Sequence, residues 1–250
     1  MASRKAIDVE KHKTAVISIL NNYMDNLISM EEEDIAKADK LSYWIENWVQ
    51  YLKREDDFNP VKLRRYKRGE IIKVNLGFNI GSEEGGLHYA IVIDKDNSIN
   101  DSTIRVVPLT SIKPNKDLES LPEGTVFLGN ELFTSLSSKI SSEKRKITQS
   151  INELKKLIKS EDIMDEKIID EVNYNLMKLN RELSLINRMY TEIDKMKKGS
   201  LALVKQITTI SKMRIYDSKT NYDILSNIKL SNEKLDIIDR SIISLYTKNG

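Results

Sequence analysis

The chain contains no cysteine, which excludes disulfides, thiolate zinc sites and a cysteine nucleophile. It holds only two histidines, His12 and His88, too few for a histidine-rich metal centre. No apolar run approaches the roughly 20 residues of a membrane span. The opening residues, MASRKAIDVEKHK, lack the apolar core of a secretory signal. These absences lead to the expectation of a cytoplasmic protein without a membrane segment, a metal or a cofactor. Charge of one sign is also missing. Forty Lys and Arg against 38 Asp and Glu leave a formal +2, which by itself implies no polyanionic partner. Aromatics are sparse, at 6% of residues.

What is present is organised around one stretch, Lys67 to Ser111. Three short apolar runs (Ile71–Leu76, Tyr89–Ile93 and Ile104–Leu109) are rich in β-branched residues and bounded by Gly, Asn, Asp and Ser. That pattern predicts strands. Between the first two lies a loop with four of the nine glycines, from Gly77 to Gly86, and beside it stands His88. Glycines let the backbone take positive φ or approach a ligand closely. Just before the first strand, Lys62, Arg64, Arg65, Lys67 and Arg68 form a basic cluster. It reads either as a solvated linker or as a contact for a phosphate backbone.

On the N-terminal side, residues 5–55 read as helical, with Val16, Leu20, Tyr23 and Leu27 on one face. After the acidic break Glu31–Asp34, a second stripe of Leu41, Trp44, Trp48 and Tyr51 reads as a packing seam rather than a base-stacking platform. Asn59-Pro60 ends this arm, because the residue before proline is biased away from helix. Beyond the strands, Asp94–Ser102 is a turn-rich loop. Ile112–Gly124, with Pro114 and Pro122, is a longer loop leading to a short strand at Thr125–Leu128. Several short strands of this kind suggest a small barrel or sandwich-like sheet.

From Asn130 to Lys197 there is neither Gly nor Pro, and the apolar spacing becomes heptad-like. Ile140, Ile147, Ile151, Leu154 and Ile158 lead, followed by Val172, Leu176, Leu179, Leu183, Ile186, Tyr190 and Ile193. This predicts a coiled-coil seam. With a bend at Ser160-Glu161-Asp162, it makes an antiparallel hairpin of helices roughly 45–50 Å long. Leu201–Ile210 returns to strand character, and 232–247 reads as an amphipathic helix with Leu235, Ile238, Ile242 and Leu245 on one face. The hairpin is therefore an insertion within a β domain. The expected fold is α+β, in three parts. Residues 1–58 form an arm, 59–129 with 199–250 form the β domain, and 130–198 form the inserted hairpin.

Two segments resemble the MazF/PemK (Kid-like) family of toxin endoribonucleases. Arg68–Ser111 is similar to the family's opening strand (RGEIIKVNLG), glycine loop (GSEEGG, Gly81–Gly86) and strand ending in PLTS. Leu203–Ile215, LVKQITTISKMRI, is similar to its late strand, with a Lys-x-Arg element at Lys212 and Arg214. The resemblance implies a small SH3-like β barrel that forms a homodimer, pairs with a protein antitoxin and cuts single-stranded RNA at short sequences without a metal. The 2′-hydroxyl attacks phosphorus and leaves a 2′,3′-cyclic phosphate. That chemistry requires a proton acceptor, a proton donor and groups to hold the phosphoryl oxygens.

The family's catalytic arginine after the glycine pair is replaced here by Leu87-His88-Tyr89. An imidazole serves as a proton shuttle near neutrality but supplies no permanent bidentate clamp. His88 is the candidate to take the arginine's catalytic place, Thr110 matches the family's second catalytic position, and Ser82 and Glu83 (or the neighbouring Glu84) of the loop are read as support. RNA contacts fall to Gly85, Gly86, Gln206, Thr209 and Arg214, and the basic residues Arg65, Lys67 and Arg68 add to them. Lys205 and Thr208 depart from the family's usual glutamate and arginine, so no target sequence carries over. The rival reading is a non-catalytic, CcdB-like binding protein on the same fold, directed at gyrase or RNA, or a structural adaptor, because fold alone does not establish activity.

Overall fold

A computed structural model describes residues 5–112, 117–159, 166–195 and 199–248. These form five α-helices and seven strands: α1 (Ala6–Ile28), α2 (Glu32–Leu52), β1 (Ile71–Asn75), β2 (Leu87–Val92), β3 (Thr103–Ser111), β4 (Thr125–Gly129), α3 (Glu131–Lys159), α4 (Glu166–Lys195), β5 (Ser200–Leu203), β6 (Thr208–Ser211), β7 (Ile215–Asp217) and α5 (Asn232–Tyr246). The fold is α+β. No helix among the described residues is long and apolar enough to cross a membrane.

The strands join in one antiparallel sheet of order β4-β5-β3-β2-β1-β7, with β6 on β3. β3 is the hinge of this arrangement. One edge carries β2, while the other carries β6 along Thr103–Val106 and β5 along Leu109–Ser111. Between β5 and β6 the chain makes a short 3₁₀ turn, Val204–Gln206, so the single predicted strand Leu201–Ile210 is two strands.

Successive strand residues point to opposite faces, and here both faces are covered. Ile71, Ile91, Val107 and Val126 pack under α3, α4 and α5 with Leu136, Met189 and Ile238. Ile72, Val74, Ala90, Val92, Ile104 and Val106 form the second layer with Tyr66, Ile210 and Ile215. This double burial explains why β1 and β2 read as nearly continuous apolar runs.

α3 and α4, joined by a short connection, pack side by side and therefore run antiparallel. The bend expected at Ser160-Glu161-Asp162 lies outside the described residues, as does Pro114. The seam of α4 is not the one its apolar heptads suggest. Leu176, Leu183 and Tyr190 are exposed, whereas Asn175, Glu182 and Met189 join Val172, Leu179, Ile186 and Ile193 on the covered side. The cause is competition between neighbours. α4 must also offer Leu185 and Met189 to the sheet core, and that rotates the helix away from the 176/183/190 stripe. On α3, Ile140, Ile147 and Leu154 are buried, while Ile158 is exposed.

Two polar ties fasten the helices. The Lys139 ammonium on α3 donates to the carbonyls of Asp223, Ile224 and Ser226 and to Ser226 Oγ, all at 2.8–2.9 Å. Its burial pushes the Lys139 pKa down to about 8. The Glu131 carboxylate at the start of α3 accepts from Ser231 N and Oγ at 3.0 and 2.7 Å, which anchors the N-cap of α5. The N-terminal arm is more open. Of the stripe expected on α1, only Leu27 is buried, and Val16 and Tyr23 are exposed.

Candidate functional site

The glycine loop between β1 and β2 is shaped by its own backbone. Gly86 sits at φ +81°, a conformation that L side chains rarely adopt. Its N–H donates to the Gly77 carbonyl at 2.6 Å, and its carbonyl accepts from Leu76 N at 2.7 Å. Gly85 is half-buried against the same Gly77 carbonyl. From outside, Gln206 clamps the loop. Its Nε2 donates to the Ser82 carbonyl at 2.8 Å, and its Oε1 accepts from Glu84 N at 2.8 Å. The amide that sequence reasoning assigned to RNA is thus spent on holding the loop. Replacing Gln206 with alanine is expected to cost about 1–2 kcal/mol for the pair of bonds. Hydrogen exchange would report it directly, as faster exchange of the Glu84 amide. Unchanged protection there would refute the clamp.

β2 begins immediately after the loop and carries His88. Extending the Ala90↔Pro108 register of β2 and β3 by two positions brings His88 opposite Thr110, so the two side chains share a face of the sheet. The imidazole is about a quarter exposed, at 26%. Its Nδ1 lies 3.1 Å from the Leu109 carbonyl. A carbonyl oxygen only accepts, so Nδ1 carries a proton and Nε2 is the atom left to exchange one. Facing Nε2 at 3.5 Å is the carboxylate of Glu84. Thr110, at the end of the apolar part of β3, is half-buried.

The remaining assigned residues divide. Ser82 and Glu83 are exposed loop positions. The carboxylate beside the histidine belongs to Glu84, not Glu83, which instead lines a neighbouring cleft of about 390 Å³ with Glu84, Gln206, Thr208 and Arg214. Arg214 donates its Nε to the Asn75 carbonyl at 2.7 Å and stacks its guanidinium 5.4 Å from the centre of the Trp44 ring. Burial lowers its pKa from the usual arginine value. Strand alternation turns Thr208 toward this cleft, and Thr209 is exposed elsewhere on β6.

The basic cluster stands apart from this group. Arg68 donates to the Ile93 carbonyl and to Asp239 of α5. It therefore sits at the far end of β2, some five residues or about 17 Å from His88 along the strand. Arg65 pairs with Asp96 at 3.1 Å, and both side chains are well exposed. The Lys67 backbone N–H closes a turn on Glu70 Oε2 at 3.0 Å. None of the three lines either cleft beside the glycine loop.

A second cleft, of about 550 Å³, opens on the other side of the loop, and its wall includes His88. Residues of α2 form the opposite wall, so the stripe read as a packing seam does carry Trp44 against the glycine loop. Residues 67–180 match the family model described as PemK-like, MazF-like toxin of type II toxin-antitoxin system. The matched span includes β1 to β4, the glycine loop, His88 and Thr110, and it runs on through α3 into α4. No curated protein matches the chain.

Proposed function

We propose that this chain, which carries a PemK-like, MazF-like toxin domain, is an endoribonuclease that cuts single-stranded RNA as the toxin of a type II toxin–antitoxin pair. In this reading segments 59–129 and 199–250 make one SH3-like barrel, 130–198 is an insertion, and 1–58 is an arm. The protein acts in the cytoplasm as a homodimer held in check by a protein antitoxin. The observation that carries the reading is the position of His88, opposite Thr110 and open to a cleft, with Nδ1 bound to a carbonyl and Nε2 facing Glu84.

That arrangement suits cleavage by internal attack. The ribose 2′-oxygen forms a bond to the adjacent phosphorus as the bond to the 5′-oxygen breaks. The proton leaving the 2′-hydroxyl and the proton taken up by the 5′-oxygen balance, so a pair of groups exchanging one proton suffices. His88 Nε2 and the Glu84 carboxylate form such a pair. The Thr110 hydroxyl donates to a phosphoryl oxygen, and Arg214 in the neighbouring cleft adds positive charge for the strand. Arg65, in an exposed pair with Asp96, and the Lys67 side chain add charge for the strand away from the clefts, whereas Arg68 is held by Asp239 and the Ile93 carbonyl. Recognition of RNA over DNA follows from the chemistry, since the nucleophile is the 2′-hydroxyl.

Purified protein incubated with single-stranded RNA in EDTA should yield fragments ending in 2′,3′-cyclic phosphate and beginning with 5′-hydroxyl. Intact RNA after long incubation would sink the proposal and leave the non-catalytic binding reading, for which gyrase inhibition is the next assay.

A further inference from the structure

We infer that α2 supplies one wall of a nucleobase-binding subsite beside His88, a wall that lies outside the segment matched to the toxin family. The inference rests on the RNA reading above. Lys40, Tyr43, Trp44 and Asn47 recur at helical spacing on one face of α2, and that face lines the cleft of about 550 Å³. Phe78, Asn79 and His88 line it from the other side. A cleft of this size lies within the usual range for a small-molecule or nucleotide site.

The helix is docked there. A Cβ built on Gly77 would come within 2.9 Å of the Trp44 ring, so glycine at 77 is what lets the ring lie against the loop. The Arg214 guanidinium covers the same ring. The docked helix does not seal the cleft, since His88 is partly exposed and Leu87 at its rim is exposed.

The lining has the chemistry of base recognition. Tyr43 is 61% exposed, and its ring offers a rigid face on which a base stacks. Asn47 Nδ2 donates to the Tyr43 carbonyl at 2.7 Å, and Asn79 Nδ2 donates to the Glu84 carbonyl at 2.6 Å. Each bond uses one of the two Nδ2 hydrogens and leaves Oδ1 as an acceptor and the second N–H as a donor. An amide that both accepts and donates matches the mixed donor and acceptor edge that every base presents, so the cleft suits a nucleobase without choosing among the four. Lys40 brings a cation to the same face for the phosphate backbone. α2 is thus a binding element rather than a cover.

The test compares wild type with Tyr43→Ala in the full chain, using cleavage of a defined single-stranded RNA and anisotropy binding of mixed-sequence and oligouridine octamers. Loss of one stacked base is expected to raise KM, and the Kd for the mixed octamer, about tenfold, with kcat within about twofold. Tyr43→Phe, which keeps the ring, should rescue KM. Asn47→Ala should weaken the mixed and the oligouridine octamers alike. A KM and Kd equal to wild type in Tyr43→Ala overturns the subsite while leaving the nuclease reading standing. Faster cutting by Tyr43→Ala also overturns it, because the helix would then be a shield. If wild type cuts nothing, the nuclease reading falls and the octamer affinities decide the subsite alone: a tenfold loss in Tyr43→Ala sustains it, and equal affinity ends it.

Discussion

Replacing His88 with alanine is expected to lower the rate of RNA cleavage by about 10²- to 10⁴-fold, the span over which a positioned acid or base acts. The fold should survive the change, because the imidazole is only partly buried and makes one bond, to the Leu109 carbonyl. Circular dichroism and a thermal melt would establish that. The companion variants locate the origin of the loss. Glu84→Gln keeps the size of the side chain but removes the charge facing Nε2, so it should retain part of the rate and alter its pH profile. His88→Arg restores a permanent cation in the family's manner but offers no proton near neutrality, so it should stay slow if proton exchange is the essential service. Full activity in His88→Ala would remove the histidine from the mechanism and shift attention to Arg214.

Replacing Glu70 with alanine is expected to cost about 3–5 kcal/mol of stability, without any direct effect on the chemistry. Glu70 and Arg64 form an ion pair at 2.7 Å with side chains only 4% and 6% exposed. Arg64 also donates to Ser218 Oγ at 2.8 Å and to Asn227 Oδ1 at 3.3 Å. The pair therefore ties the entry to β1 to Ser218 and Asn227, which are, among the described residues, the two at positive φ that are not glycine. Removing the carboxylate strands a buried guanidinium, which is where the cost arises. Removing both charges together, as Arg64→Met with Glu70→Leu, should be far milder, because isolated desolvated charge rather than lost attraction dominates such sites. Urea unfolding of the two singles and the double reads this as a coupling energy. A loss below about 1 kcal/mol for Glu70→Ala would mean that water reaches the pair and the burial argument fails.

Arg64 also shows why the basic cluster misleads when read as charge alone. Lys62 to Arg68 is dense in positive charge, yet Arg64 is consumed by Glu70 and Arg68 by Asp239. Both acidic partners are invisible from the spacing of the cations. Asp239 in particular lies 171 positions away in the chain. The same applies to Gln206, whose partners at Ser82 and Glu84 come from a loop more than 120 residues earlier.

What the amino-acid order determined unaided is the type and approximate place of most elements, though not β7 or the break between β5 and β6. β1 to β4, the uninterrupted helices α3 and α4, the final helix α5 and the glycine loop all follow from patterns confined to neighbouring residues. Short β-branched runs, helical spacing, and Gly or Pro punctuation require no knowledge of the rest of the molecule. Only the tertiary structure decided the matters in which two elements compete for one side chain. It turned the seam of α4 toward Met189 and away from Leu183, because the sheet and α3 both claim that helix. It gave His88 the carboxylate of Glu84 rather than Glu83, because the Gln206 clamp sets which loop side chain reaches the ring. And it laid α2 along the cleft, because a glycine at 77 leaves room for the Trp44 ring. Local periodicity says which way a side chain points from its own element, and long-range packing says what it meets there.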